Sequence, residues 1–297
     1  MSLNRIVVKS ILNKTKRRDP WFLDDYTVNP YSGCSFNCLF CYIRGSKYGE
    51  HMERSMSVKE NAIEVLDKQL SLRARKGQYG IIVVSSATEP YLQVEPELQM
   101  TRRMLERILH HRFPVHVITR SDLVTRDFDI LHEIDQKAIL PPDLEGQMPA
   151  KAIVTFSFST LDDKTARIFE PGATPPSRRL ACMQKTLEAG FYSGVSLMPL
   201  LPFITDSSND LELFYSTFSK AGAKYIFPAS ITLFGDGPAA SKTLTLRAIE
   251  KHYPELVDNY RKLFSYGYQI DRNYHKGFVD RISGVKNKYN ISDRILP

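Results

Sequence analysis

Cysteine is scarce in this chain, with 4 in 297 residues, and tryptophan occurs once. So few thiols exclude a disulfide-stapled scaffold, which needs a dense framework of paired cysteines. No apolar run approaches the roughly 20 residues that span a bilayer. The opening MSLNRIVVKS carries no apolar leader, so the expected compartment is the cytoplasm. There is no short-period repeat, no low-complexity tract, and no Gly-rich phosphate-binding turn after the first strand. With 42% hydrophobic and 25% charged residues, the chain has ample apolar material for a core. Its length suits one large domain, or one domain with an appendage.

The cysteines that are present sit together. Cys34, Cys38 and Cys41 have the spacing C-x3-C-x2-C on a loop opened by Asn29-Pro30 and Ser32-Gly33. Thiolates this close, on a loop shaped by Gly and Pro, can point at one soft metal centre. Three ligands rather than four leave one iron of a 4Fe–4S cube open to a substrate or cofactor. Structural zinc would need a fourth ligand, for which His51 and the distant Cys182 are the available residues.

The formal charge is +7 and the sequence pI about 9.1. Residues 1–18 carry Arg5, Lys9, Lys14, Lys16, Arg17 and Arg18 with no acid among them. From 251 to 297 basic residues outnumber acids and are interleaved with Tyr253, Tyr260, Tyr266, Tyr268, Tyr274 and Tyr289. This pattern suits stacking on bases with phosphate contacts. A solvated basic face with half-buried tyrosines has the same composition and is the commoner arrangement.

Apolar strand-type runs alternate with helical periodicity along the chain. Strands are expected at Tyr26–Val28, from Ile81, at Pro114–Thr119, Ala152–Phe158, Tyr192–Met198 and Tyr225–Leu233. Helices are expected from a Ser57–Glu60 capping box to about Lys76, over Pro96–His111, from Thr125, from Asp162, and over Ser177–Ala189 and Ser207–Lys220. After Phe234 the pattern is helical, for example at Pro254–Phe264. Strand–helix alternation calls for a parallel sheet with right-handed crossovers. A Rossmann-like open sheet competes with a partial barrel, but its glycine turn is missing.

In parallel barrels, functional groups gather where strands exit. Here the first strand exits into the cysteines, the second into Thr88-Glu89-Pro90, the third into Thr119-Arg120, the fourth into Ser157-Phe158-Ser159, and the fifth into Met198-Pro199. Each alone reads as a turn or a surface charge. Recurrence at one end of consecutive strands, facing the cysteine loop, points to a cofactor pocket.

The cysteine motif, with Phe40 before its last Cys, resembles the signature of the radical S-adenosylmethionine (SAM) superfamily. Thr88-Glu89-Pro90 resembles that superfamily's Gly-Gly-Glu-Pro-type segment. Tyr42, Phe156–Phe158, Phe169-Glu170-Pro171-Gly172, Arg179-Leu180 and Ala189-Gly190-Phe191 resemble the spore photoproduct lyase-like, DNA-repair-photolyase-like branch. The likeness runs from about Tyr31 to Pro202. It implies an open (β/α)6 partial TIM-type barrel over 26–235. Before it lies a basic arm over 1–25, and after it a helical, Tyr-rich extension over 236–297. It implies a 4Fe–4S cluster on Cys34, Cys38 and Cys41, and a SAM pocket drawn from Phe40, Tyr42, Thr88, Glu89, Arg120, Ser157, Ser159 and Met198. Glu89 would meet the ammonium of SAM, Arg120 its carboxylate, and Ser157 or Ser159 its ribose. Reductive cleavage to a 5′-deoxyadenosyl radical would follow, with flavodoxin or ferredoxin as electron donor and a substrate related to nucleic acid. A non-catalytic, metal-bearing nucleic-acid adaptor is the alternative class.

Two departures from the branch stand out. The lyase has Lys where this chain has Arg120, which keeps the charge but donates in a fixed fork. Three residues before Glu89 the lyase has the cysteine that returns a hydrogen atom to product, and here that residue is Ser86. Cys182, in Leu180-Ala181-Cys182-Met183, reads as helix packing. Tyr42 and Tyr91 are the nearest radical relays by position, although ordinary packing is the simpler role for both.

Overall fold

Val, Ile and Phe dominate the short runs that become strands, and each run is too apolar to leave either face in water. The computed structural model describes residues 2–45, 55–84 and 87–296. Strands β1 (Ser2–Ile6), β2 (Asn13–Lys14), β3 (Tyr26–Val28), β4 (Tyr31–Ser32) and β5 (Ser55–Lys59) precede the first helix, α1 (Ala62–Arg75). Then come β6 (Ile82–Val84), α2 (Glu95–Leu98), α3 (Met100–His110), β7 (Val115–Thr119) and α4 (Phe128–Lys137). These are followed by β8 (Ala152–Ser157), α5 (Asp163–Phe169), α6 (Pro176–Glu188), β9 (Tyr192–Leu200), α7 (Ser208–Ala221) and β10 (Ile226–Ser230). Helices α8 (Ser241–His252), α9 (Val257–Leu263) and α10 (Arg272–Tyr289) complete the chain.

The main sheet has seven strands in the order β10-β9-β8-β7-β6-β3-β2, parallel throughout except for the antiparallel pair β2–β3. A second sheet, β1-β5-β4, lies outside it. The expectation of six strands missed β2 and this second sheet. Both are built from pieces too short or too polar to announce themselves, and pairing with distant residues makes them strands.

The Ser57–Glu60 capping box is overturned. Ser57 is in β5, paired with Asn4 and Ser32, and α1 begins only at Ala62. The side chain of Asn61 instead accepts from Val8 N and donates to Val8 O, both at 2.9 Å. The helix expected over Pro96–His111 breaks at Gln99, whose φ of 50° separates α2 from α3. The helix expected from Thr125 opens as a 3-10 turn over Leu123–Asp127 before α4. The reading from Ser207 holds: its side chain and that of Asp210 form a reciprocal cap on α7.

The pleat sorts residues between two cores. Ile82, Val84, Val115, Val117, Val154, Phe156, Val195, Leu197 and Ile226 face the helices in the main apolar core. Residues of the opposite parity, among them Ile81, Ile153, Tyr225 and Phe227, pack with Trp21, Phe22 and Leu23 on the other face of the sheet. There His116 bonds Phe22 O (2.8 Å) and Thr155 Oγ1 (2.6 Å), and Thr155 Oγ1 meets Tyr225 Oη (2.6 Å). The arm before β3 therefore fills the N-terminal end of the sheet. A third cluster joins Phe40, Phe169, Leu201 and Leu233 to Tyr260 and Leu263, so the C-terminal helices pack beside the cysteine loop. Among the described residues no helix is long and apolar enough to cross a membrane.

Candidate active site

Parity carries Arg120, Ser157, Ser159 and Met198 to that same face at the C-terminal strand ends, since each continues the series that begins with His116, Ile153 or Gly194. Glu89 follows β6 into the same region. Its carboxylate is 7% exposed and is held by Thr119 Oγ1, by Tyr91 N (3.1 Å) and by Arg120 N (2.9 Å). Burial raises its pKa against those three donors. Thr88 sits beside it and bonds Asn29 Oδ1 at 3.4 Å.

The cysteine loop faces these groups. Gly33 (φ 82°) and Asn37 (φ 54°) turn the chain so that the three thiols come within electrostatic reach of one another. Burial pushes the Cys34 thiol up to about 11, opposed by the backbone N–H groups of Glu89 and Phe36. Burial also raises Cys38 well above the usual thiol range, opposed by Arg120. Cys41 is raised by burial too, opposed by the N–H of Ile43 and by Arg44 and Arg120. Half-buried sulfurs with peptide N–H donors and guanidinium groups around them suit thiolates shared with a metal cluster, where the positive iron offsets the desolvation. Among the described residues no three His, Cys, Asp or Glu side chains gather closely enough to hold a single metal ion. His51 lies outside the described residues, and Cys182 is buried in α6 with its thiol directed at Asp122 O (3.5 Å). The donor set fits a cluster held by three cysteines.

Arg120 is the centre of the polar network. Its NH1 donates to Glu170 Oε1 (2.7 Å) and Ser159 Oγ (3.3 Å), and its NH2 to Met198 O (2.5 Å). Its guanidinium also lies 5.5 Å from the centre of the Phe40 ring. Glu170 is 2% exposed and shared: Ser159 Oγ donates to Oε1, the oxygen that Arg120 binds, and Oε2 accepts from Arg179 Nη2 at 2.6 Å. Burial penalises the Glu170 charge, and the two arginines more than offset that, holding the carboxyl below its usual range. Arg179 NH1 in turn donates to Ser157 O (2.5 Å).

The structure thus brings Phe40, Thr88, Glu89, Arg120, Ser157, Ser159 and Met198 to the strand-exit end beside Cys34, Cys38 and Cys41. Tyr42 is there as well but is 54% exposed. Tyr91 is fully buried, with Arg126 over its ring. Ser86 lies outside the described residues. Sequence reasoning missed Glu170, Arg179 and Arg44 as site residues. Arg44 is 2% exposed and bonds Cys38 O (3.0 Å) and the Asn37 side chain, bracing the cysteine loop. Glu170 was visible only as part of the Phe-Glu-Pro-Gly stretch, and a Glu before Pro-Gly reads as an exposed turn.

The tyrosines of the C-terminal stretch are mostly tied down. Tyr260 is buried and donates to Pro202 O, Tyr274 bonds Asp206, and Tyr289 bonds Glu212, while Tyr266 and Tyr268 are exposed.

Comparison with known proteins bears on the fold and the family. An uncharacterized protein of Mycobacterium tuberculosis is 25% identical over 299 residues, spanning 98% of this chain and 82% of that one. ORF301 of Acidianus two-tailed virus is 30% identical over 218 residues, 69% of this chain and 66% of that one. Among solved structures, spore photoproduct lyase complexed with dinucleoside spore photoproduct superposes with a TM-score of 0.64 at 15% identity, covering 97% of this chain and 79% of that one. That likeness is one of fold. Residues 28–214 match the family described as the Radical SAM superfamily, a span that takes in the cysteine loop and every strand exit discussed above, and the chain belongs to that superfamily.

Proposed function

We propose that this protein is a radical SAM enzyme of the lyase-like branch, built on a (β/α)6 partial barrel over 26–235 between a basic arm and a helical extension. Cys34, Cys38 and Cys41 would hold a 4Fe–4S cluster with one open iron. The cluster, when bound, supplies the electron that cleaves SAM to methionine and a 5′-deoxyadenosyl radical for hydrogen abstraction. Glu89, fixed by three donors, offers a carboxylate to the ammonium of SAM. Arg120 has N–H groups beyond its three internal bonds and meets the SAM carboxylate. Ser157 and Ser159 face the ribose, with Thr88, Met198 and Tyr42 around the rim. Phe40, packed with Phe169, keeps water from the base of the loop.

The observation that carries this reading is the gathering of three half-buried thiols, Cys34 beside Glu89 and Cys38 and Cys41 beside Arg120, at one end of a parallel sheet. A cytoplasmic one-electron donor, such as flavodoxin or ferredoxin, completes the scheme. What supports a nucleic-acid-related or other bulky substrate is the basic stretch with exposed Tyr266 and Tyr268, together with the dinucleoside bound by a protein of the same fold.

The test is anaerobic purification with iron and sulfide analysis, then incubation with SAM and dithionite and measurement of 5′-deoxyadenosine. Iron, sulfide and 5′-deoxyadenosine together are expected. Zinc without sulfide would sink the reading and favour a metal-bearing adaptor.

A further inference from the structure

One short segment touches both halves of the site. Phe169 O accepts from Leu39 N (2.8 Å), and Gly172 N donates to Phe36 O (2.9 Å), so residues 169–172 run against the loop that carries the cysteines. The approach leaves no room for a side chain at Gly172: a Cβ there would lie 2.3 Å from Ser35 O and 2.8 Å from Phe36 Cα. Gln93 ties the same two loops together, its Nε2 donating to Gly172 O (2.7 Å) and its Oε1 accepting from Ser35 Oγ. Between these two backbone anchors, Glu170 turns inward and grips Arg120.

The charges explain why the grip needs a third partner. A buried Arg–Glu pair alone would be neutral, and an anion would gain little from meeting it. Arg179, with no exposed side-chain surface, binds the far oxygen of Glu170 and returns the set to a net positive charge. Arg179 Nε finds no acceptor among the described residues, so this guanidinium is held for its contacts to Glu170 and Ser157 at a desolvation cost. Arg120 is therefore oriented by Glu170, Ser159 and Met198 O, and the net positive triad is faced by the Glu89 carboxylate, which accepts from Arg120 N (2.9 Å).

We infer that Glu170 is a positioning residue: it fixes Arg120 relative to the cysteine loop, so that the group meeting the SAM carboxylate and the loop holding the cluster keep one geometry. This rests on the assignment of Arg120 to SAM made above. The side-chain partners of Glu170 are Arg120, Ser159 and Arg179.

Equilibrium binding of SAM to reconstituted, unreduced protein tests this without turnover. Arg120→Ala, Glu170→Gln and the double variant are compared with the parent, with iron and sulfide per chain and the melting midpoint measured on each. The expected result is at least tenfold weaker SAM binding in each single variant. Iron content in Glu170→Gln should stay near the parent, and Glu170→Gln should add less than a twofold effect once Arg120 is already Ala. Unchanged or tighter SAM binding by Glu170→Gln overturns the inference, as does an equal loss with and without Arg120. If Glu170→Gln does not fold, Glu170→Asp keeps both arginines paired but draws the carboxylate back by one methylene. It should bind SAM threefold or more weakly with its cluster intact, and parent-like affinity overturns the inference. Parent-like binding by Arg120→Ala is the distinct result that removes the Arg120 assignment, and this inference with it.

Discussion

Arg120 shows how much of the chemistry depends on single side chains. Its guanidinium makes three internal bonds at once, to Glu170, Ser159 and Met198 O, and Lys, with a rotating ammonium, could not hold that arrangement. Replacing Glu89 or Arg120 by Ala should weaken SAM binding about tenfold or more, the loss typical of a charge-assisted contact, as read by equilibrium dialysis. Replacing Cys34, Cys38 or Cys41 by Ala should abolish SAM cleavage and lower bound iron. Cys182→Ser should leave both unchanged, because that thiol points to Asp122 O. Full cleavage by any of the three Ala variants would remove that residue from the ligand set.

His116 makes a prediction of a different kind. Burial lowers its pKa from 6.5 to about 4, so the neutral ring is the folded form. A lowered value contributes stability above the unfolded pKa, and that stability is lost as pH falls through 6.5 towards 4. Between pH 7.5 and 5.5 the loss should be about 1 kcal/mol. The stability gap between the parent and His116→Gln should narrow by that amount in denaturant unfolding, and a gap independent of pH would show that His116 does not titrate as described.

At the scale of elements, the site depends on one loop pressed against another. Gly172→Ala must push the cysteine loop away from residues 169–172, an overpacking that costs about 1–3 kcal/mol. Iron retained after desalting should fall severalfold. Gly277→Ala is the control: it lies within α10, its nearest neighbour would be 3.5 Å away, and helix propensity favours Ala by roughly 0.5–1 kcal/mol. Equal iron retention in the two variants would mean that the close approach at Gly172 is unimportant. The N-terminal arm acts at the opposite end, where Trp21 and Phe22 pack on Phe227 with ring centroids 6.0 Å away. With that end filled, that face of the sheet is left to the cysteine end.

For the whole molecule, the question is which reaction the fold serves. Spore photoproduct lyase shares the architecture, and the sequence resemblance implies that Ser86 stands where that branch has its hydrogen-donor cysteine. An O–H bond is too strong to serve readily as a hydrogen-atom donor, so efficient spore photoproduct repair is not expected. Spore-photoproduct dinucleotide supplied under reducing, anaerobic conditions should give few turnovers, with Ser86→Cys assayed alongside. Many clean turnovers to thymidylyl-thymidine by the unaltered protein would overturn this.

The sequence by itself determined what local chemistry can determine. The C-x3-C-x2-C spacing, the alternation of apolar strands with amphipathic helices, and the polar residues at strand exits are all readable because each is set within a few residues. Tertiary structure decided what depends on distant partners. Ser57 has the pattern of a helix cap, but pairing with β1 and β4 offers its backbone more than a local cap could. Glu170 looks like part of a surface turn until the sheet brings Arg120, fifty residues earlier, and Arg179 to its two oxygens. A buried carboxylate is tolerable only with such partners, and no local pattern encodes a partner that the fold supplies.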